Sequence, residues 1–266
     1  MEDGSSYQDF IQRIHPKKPR WIEKLYAKFM NSFSGSGFDK DTAKLFSQID
    51  GRARTVLEVG IGTGVNFKYL SGRNDLKITG VDPNKSMEKY AVNSLVAAGF
   101  RGDQFEFIHG VGEKIPLESS SIDVVISTLV LCSVTDVSST MQGIQKCIDR
   151  RKIRFSSFFS SLTEVIRVLK PGGQFLFVEH VGAQGKISFS FPCFHDLWMD
   201  PDGSWLNLFQ NLLNPIQVFV ADGCHLNRDT LSFIRKARFS SIDARSYRFP
   251  SKNPLISSYI VGVARK

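Results

Sequence analysis

Strand-like and helix-like runs alternate along most of this chain, and the last two strands follow each other with no helix between them. The β-like run RTVLEVG leads into helical NFKYLSG, and LKITGVD leads into the helix NKSMEKYAVNSLVAAGF, stopped by Gly99. QFEFIHG and SIDVVISTLVL read as the third and fourth strands. LTEVIRVLKPGG predicts a helix ended by Pro-Gly-Gly, followed by the fifth strand QFLFVEHV and, later, the helix RDTLSFIRKAR. Alternation of this kind predicts a doubly wound, mostly parallel α/β sheet with right-handed crossovers. FSSIDARSY and LISSYIVGVAR, joined only by RFPSKNP, predict an antiparallel C-terminal hairpin. That terminal pair sets the chain apart from a dinucleotide-binding domain, which would end in another parallel unit.

Two stretches interrupt the alternation, near 142–161 and 185–204, and both are rich in Phe and Ser. The first holds five basic residues and one acidic, half of the formal net charge of +8. A second basic cluster, Arg13 to Lys28, lies in the N-terminal arm. The expected division is therefore an N-terminal basic arm and helix over 1–42 and one α/β domain over 43–266 carrying the two insertions. With its charge in appendages and no nucleic-acid motif, the chain is not expected to bind nucleic acid, although an RNA-directed role stays open as a rival. No run reaches the roughly 18–20 apolar residues of a membrane span. The acidic start MEDGSSYQDF does not read as a secretory signal. Four scattered cysteines read as free thiols of a reducing compartment, so the expected localisation is cytoplasmic, with an organellar or peripheral-membrane setting as the alternative.

The segment TVLEVGIGTG carries the chemistry. Gly60, Gly62 and Gly64 close the first strand and open the first helix, where an open parallel sheet binds ligands. A dinucleotide fingerprint spaces its last two glycines three apart; here they are two apart, and Glu58 precedes them. A carboxylate there would repel a pyrophosphate and suits a cofactor with a cationic amino-acid end. No Gly-Lys-Ser/Thr follows, which excludes the phosphate-cradling loop. Asp82 ends the neighbouring strand, where a carboxylate can accept from both hydroxyls of a ribose.

VLEVGIGTG, GVDPN, GVGEKIPLESSSIDVVIS and VIRVLKPGG together resemble the class I S-adenosylmethionine-dependent methyltransferases. LFSQI, STLVLCSV, FVEHV and ADGCHLNRDT are similar to the methyltransferase-like thiol S-methyltransferases, from about Ala43 to the C-terminus. The resemblance implies a Rossmann-like fold and S-adenosylmethionine as cofactor. It implies that Gly60, Gly62 and Gly64 wrap the methionine and ribose portion, that Glu58 holds the loop and faces the amino group, and that Asp82 binds the ribose. Gly112 and Glu113 would border the adenine, and Thr128 and Leu129 would close the strand where the methyl group points. Many relatives carry Asp at the position of Val111, so adenine recognition here would fall to backbone groups.

No polar-Pro-Pro-aromatic string, paired-glutamate loop or magnesium-binding carboxylate cluster accompanies the fourth strand; STLVLCSV is apolar. The expected acceptor is a small or lipophilic molecule, with a thiol leading. An O- or C-nucleophile on a phenolic or prenylated ring, and a non-catalytic cofactor-binding protein, are the alternatives. Candidate helpers are Cys132, His180 and Asp222, each with a competing structural reading as packing thiol, hydrogen-bonded histidine and turn residue. Cys193, His195, Cys224 and His225 fit no common zinc spacing, and no metal is expected. Trp205, Leu208, Phe209, Leu212, Leu213 and Ile216 form one helical stripe, expected to pack over the sheet; a lid or a membrane-facing surface is the functional alternative.

Overall fold

The computed structural model describes residues 4–15, 18–32, 39–133, 161–182, 204–220, 223–248 and 254–266. Nearly all of the two insertions lies outside these residues. Seven strands form one sheet in the order β3-β2-β1-β4-β5-β7-β6: β1 (Thr55–Val59), β2 (Lys77–Asp82), β3 (Phe105–His109), β4 (Ile122–Thr128), β5 (Leu169–His180), β6 (Ser241–Arg248) and β7 (Ser258–Arg265). The first five run parallel, and β7 pairs antiparallel with both β5 and β6, as the missing helix between the last two strands predicts. The strand order reverses between β1 and β4, so the carboxyl end of β1 is the crevice of the fold.

Successive side chains of a strand point to opposite faces, and here both faces are buried. On one side Leu57, Val125, Phe175 and Phe177 pack with Leu162, Val165 and Ile234. On the other, Val56, Ile78, Val124 and Ile126 pack with Phe46, Phe67, Ala91 and Leu95. The helices that cover these faces are α3 (Asp39–Phe46), α4 (Phe67–Leu70), α5 (Glu88–Ala97), α6 (161–168) and α8 (Thr230–Lys236). Asp229 caps α8 by accepting from the Ser232 N–H, and Arg235 and Lys236 occupy its last turn.

Three expectations need correction. The helix before the fifth strand does not run to Pro-Gly-Gly; α6 ends at Val168, and β5 begins at Leu169. Leu169 pairs with Ile122 and the next pair is Val124 with Gln174, so the Pro-Gly-Gly residues form a bulge inside β5. The N-terminal arm is not an appendage: α1 (Gly4–Ile14) and α2 (Arg20–Ser32) bury Ile11, Ile14 and Ala27. Finally, α7 (Ser204–Val220) turns its apolar stripe outward, leaving Leu208, Phe209, Leu212 and Ile216 exposed. Its buried face is polar because the backbone beneath needs partners. Gln210 donates to the Leu255 carbonyl at 2.7 Å, and the Asn214 side-chain oxygen accepts from Leu226 N–H at 2.8 Å.

Candidate active site

A cavity of about 260 Å³ opens at the carboxyl ends of β1, β2 and β4. Its floor is the glycine loop. Gly60, Gly62 and Gly64 all have positive φ, at 66°, 52° and 74°. At Gly60 a Cβ would collide with Val130, and at Gly64 it would come 2.6 Å from the Phe67 ring. The loop therefore packs its backbone against β4 and α4 while lining the cavity with main chain. Asp82, buried, clamps that arrangement: one carboxylate oxygen accepts from Gly62 N–H at 2.9 Å, the other from Asn84 N–H at 2.8 Å.

Glu58 sits in the cavity wall, 2% exposed. One of its oxygens accepts from the Asn66 amide at 2.7 Å, and Asn66 also donates to the Thr128 hydroxyl at 2.9 Å. The second oxygen, Oε2, is buried with no partner. Burial, offset in part by the Asn66 hydrogen bond and reinforced by the nearby Asp82 charge, pushes the Glu58 carboxyl up to about 8. A buried, unsatisfied carboxyl oxygen in a cavity is the complement of a cationic ligand end.

Gly112, Glu113 and Val111 line the far side of the same cavity, and Thr128 and Leu129 close it at the end of β4. The loop that carries Gly112 is tied to α6. Arg167 donates to the Ile115 and Leu117 carbonyls at 2.7 Å each, and Glu164 accepts from Ile115 N–H at 2.9 Å. Those contacts give the VIRVLK stretch its place: it holds the rim of the site.

Seven of the eight residues expected to touch the cofactor, Glu58, Gly60, Gly62, Asp82, Gly112, Glu113 and Thr128, line this one cavity; Gly64 does not, and packs instead against the Phe67 ring. The candidate helpers do not join them. Cys132 is buried behind the wall, with its sulfur 3.3 Å from that of Cys224. His180 is buried beyond the cavity lining, Nε2 3.2 Å from the Leu255 carbonyl, and burial depresses its pKa. Asp222, Cys193 and His195 lie outside the described residues.

Sequence reasoning missed three contributors. Ser161, at the start of α6, lines the cavity near Gly112 with a buried, unpartnered hydroxyl. The arm supplies Ile14, His15, Tyr26 and Met30 as a wall over the glycine loop, and their helical spacing beside a basic cluster was the available signal. Glu179, present in FVEHV, is fully buried and accepts from the Ser127 hydroxyl at 2.6 Å, Leu131 N–H at 3.0 Å and Val130 N–H at 3.3 Å. It thereby holds the turn after β4, in which Leu129 takes a φ of 58°. Burial raises its carboxyl to about 7 against those hydrogen bonds.

The fit to S-adenosylmethionine rests on those observations: a glycine loop that lines the cavity with main chain at Gly60 and Gly62, two buried carboxyls on adjacent strands, and an orphaned carboxyl oxygen for an ammonium. Comparison with known proteins agrees. A family model described as "Methyltransferase domain" matches residues 57–151. Thiol S-methyltransferase TMT1B of Rattus norvegicus is 36% identical over 230 residues, 84% of this chain and 77% of that protein. Thiol S-methyltransferase TMT1A of Homo sapiens is 32% identical over 214 residues, 80% of this chain and 70% of that protein. Among solved structures, an S-adenosylmethionine-dependent methyltransferase of Thermotoga maritima shares the fold at 18% identity, with a TM-score of 0.54 over 92% of this chain and 98% of that one. The cyclase SpnF shares it too, at 16% identity and a TM-score of 0.55 over 86% of this chain and 80% of that one, so the fold alone does not name a reaction. The relatives at 32–36% identity do: this chain belongs to the S-adenosylmethionine-dependent methyltransferases, in the family that holds the thiol S-methyltransferases, and it is an enzyme of that class.

Proposed function

We propose that the enzyme methylates the sulfur of a small, lipophilic thiol. The observation that carries this reading is the extended similarity to two thiol S-methyltransferases, supported by the apolar character of the β4 end, where Val130 and Leu131 line the cavity. When bound, S-adenosylmethionine supplies a sulfonium-activated methyl group, so the protein's task is to hold a nucleophile in line and dry. In this reading Gly60, Gly62 and Gly64 bring backbone against the methionine and ribose portion. Asp82 keeps its loop bonds and uses its remaining lone pairs on the ribose hydroxyls. Glu58 Oε2 takes the amino group, Gly112 and Glu113 border the adenine, and Thr128 with Leu129 borders the acceptor. A thiol has an ordinary pKa near 8.5, so an appreciable fraction ionises without a dedicated base; Cys132 and His180, set behind or beyond the wall, take no part. The domain over 43–266 does the chemistry, and the arm over 1–42 covers it: Ile14, Tyr26 and Met30 exclude water from the glycine loop.

The same arm supports a peripheral membrane contact. Trp21, Leu25 and Phe29 form an exposed apolar row on α2, beside the exposed cations Arg20, Lys24 and Lys28, a pattern suited to an anionic lipid surface. Among the described residues, no helix is long and apolar enough to cross a membrane.

The test is incubation of the purified protein with methyl-labelled S-adenosylmethionine and a panel of small thiols, quinols and phenols. Label recovered in thioethers is the expected result. Label found only on ring oxygen or carbon overturns the thiol assignment, and cofactor binding with no transfer to any acceptor overturns the catalytic reading.

A further inference from the structure

Cys132 and Cys224 face each other with their sulfurs 3.3 Å apart, and both are free thiols. Their backbones are locked in register on both sides of the pair. His225 N–H donates to the Cys132 carbonyl at 2.9 Å, and Gly223 packs so closely on Ser133 that a Cβ there would lie 2.9 Å from its carbonyl oxygen. Gly223 accepts this through a φ of 92°. Arg228 adds a third clamp, donating to the Leu131 carbonyl at 2.6 Å. Two neighbouring stretches held at this spacing are within the reach of a disulfide, whose sulfurs lie about 2.05 Å apart.

We propose that Cys132 and Cys224 form an intramolecular disulfide site, closed by low-molecular-weight disulfides and opened by thiols. Cys224 is half-buried and Cys132 is fully buried, so Cys224 is the thiol that an oxidant meets first. The Cys132 thiol beside it lowers the pKa of Cys224, whereas that contact and then burial raise the pKa of Cys132, which sets the same order of attack. The Cys224 thiolate attacks one sulfur of the disulfide, forming a mixed disulfide and releasing one thiolate. The Cys132 sulfur then attacks Cys224 Sγ, displacing the second thiolate. The two cysteine protons pass through solvent to the two released thiolates, the protein pair is oxidised by two electrons, and one small disulfide becomes two thiols.

The site matters because its neighbours line the cavity. Leu131 and Ser133 flank Cys132 in sequence, and both belong to the wall beside Leu129 and Val130. Drawing the two sulfurs together by more than an ångström displaces that wall where the acceptor is proposed to sit, and misplacement of this order costs methyl transfer roughly tenfold or more. This consequence rests on the acceptor assignment; the cross-link itself does not.

The experiment uses the full chain with Cys147 and Cys193 replaced by serine, so that two thiols remain, and glutathione disulfide as oxidant. Intact mass should fall by two hydrogen atoms, peptide mapping should join Cys132 to Cys224, and turnover should drop about tenfold and return with dithiothreitol. If the serine background does not fold, peptide mapping of the wild-type chain gives the same answer. Cys224→Ser should keep the reduced enzyme's turnover and lose its response to oxidant. Free thiols after treatment, glutathione lodged on Cys224 or a cross-link between two chains would each overturn the site. A closed Cys132–Cys224 bond with unchanged turnover would overturn the consequence for the wall.

Discussion

Replacing Glu58 with Gln tests the electrostatic core of the site. The carboxyl stands near 8 in the folded protein against an ordinary value of 4.5, chiefly through burial. At pH 6 only about one Glu58 in a hundred is ionised, and at pH 8 about half are. If the amino group of the cofactor needs the carboxylate, affinity should rise with pH by as much as roughly fiftyfold over that interval. S-adenosylhomocysteine is the right ligand for the measurement, because it keeps the ammonium and lacks the sulfonium charge. Calorimetry at pH 7 in buffers of different ionisation enthalpy should show about 0.9 proton released per ligand bound by the wild type, and none by Glu58→Gln. The amide can still accept from Asn66, so the loop should survive, while affinity at pH 8 falls roughly tenfold or more. The same shift has a stability sign. The folded protein holds a proton on Glu58 that the unfolded chain has lost, so Glu58 lowers stability progressively as pH rises from 4.5 to 8, by on the order of 5 kcal/mol. Glu58→Gln should flatten that part of the profile in thermal melts. A wild-type affinity that is as independent of pH as that of the variant would refute the assignment of Glu58 to the ammonium.

Asp82→Ala removes the acceptor of Gly62 N–H and Asn84 N–H as well as the proposed ribose contact; S-adenosylhomocysteine affinity by calorimetry should fall at least about tenfold while the circular dichroism spectrum is kept. Glu179→Gln turns an amide N–H₂ toward a pocket of donors; the thermal midpoint should drop by an amount equivalent to roughly 1–3 kcal/mol. The difference should shrink as pH rises from about 4.5 to about 7, the interval in which the folded wild type, its carboxyl raised by burial, holds a proton that the unfolded chain has lost. Trp21→Ser with Leu25→Ser should cut co-sedimentation with phosphatidylserine-containing vesicles and leave that with neutral vesicles unchanged; binding that survives both changes removes α2 as the contact. Gly60→Ala meets Val130 and a φ of 66° together, so cofactor binding should be lost even where the chain still folds.

What could be read from the sequence was what local chemistry decides. The buried parallel strands announced themselves as apolar runs, and the glycines with Asp82 placed the crevice, because positive φ and a carboxylate at a strand end are requirements of single positions. The misread elements share a different cause. Pro171-Gly172-Gly173 looks like a helix stop, yet the pairing of Leu169 with Ile122 draws the chain into the sheet before those residues and leaves them as a bulge. Periodicity alone places the apolar stripe of α7 in the interior. Its orientation is set instead by the Leu255 carbonyl and the Leu226 N–H, two backbone groups distant in sequence that Gln210 and Asn214 meet at 2.7 and 2.8 Å. A buried polar group left unpaired costs about 1–3 kcal/mol, comparable to what burying one large apolar side chain gains, so a helix over unpaired backbone can turn its polar face inward.

Two of the buried glutamates, Glu58 and Glu179, extend that reasoning to function. Glu58 on β1 and Glu179 on β5 lie at carboxyl ends of the same sheet, and both are raised by burial, but their surroundings differ in one respect. Glu179 has donors on both oxygens, from Ser127, Val130 and Leu131, and its work is finished within the fold: it shapes the turn that ends the cavity. Glu58 has Asn66 on one oxygen and nothing on the other. Of two carboxyls equally withdrawn from water, the one left incomplete is the one that lines the cavity. Its missing partner must be a donor brought from outside, and a cationic donor regains the most, since it restores the charge that burial suppresses. On this ground the glycine loop of this chain is built for an amino-acid ammonium rather than for a phosphate, whose charge would add to that of Glu58 and Asp82.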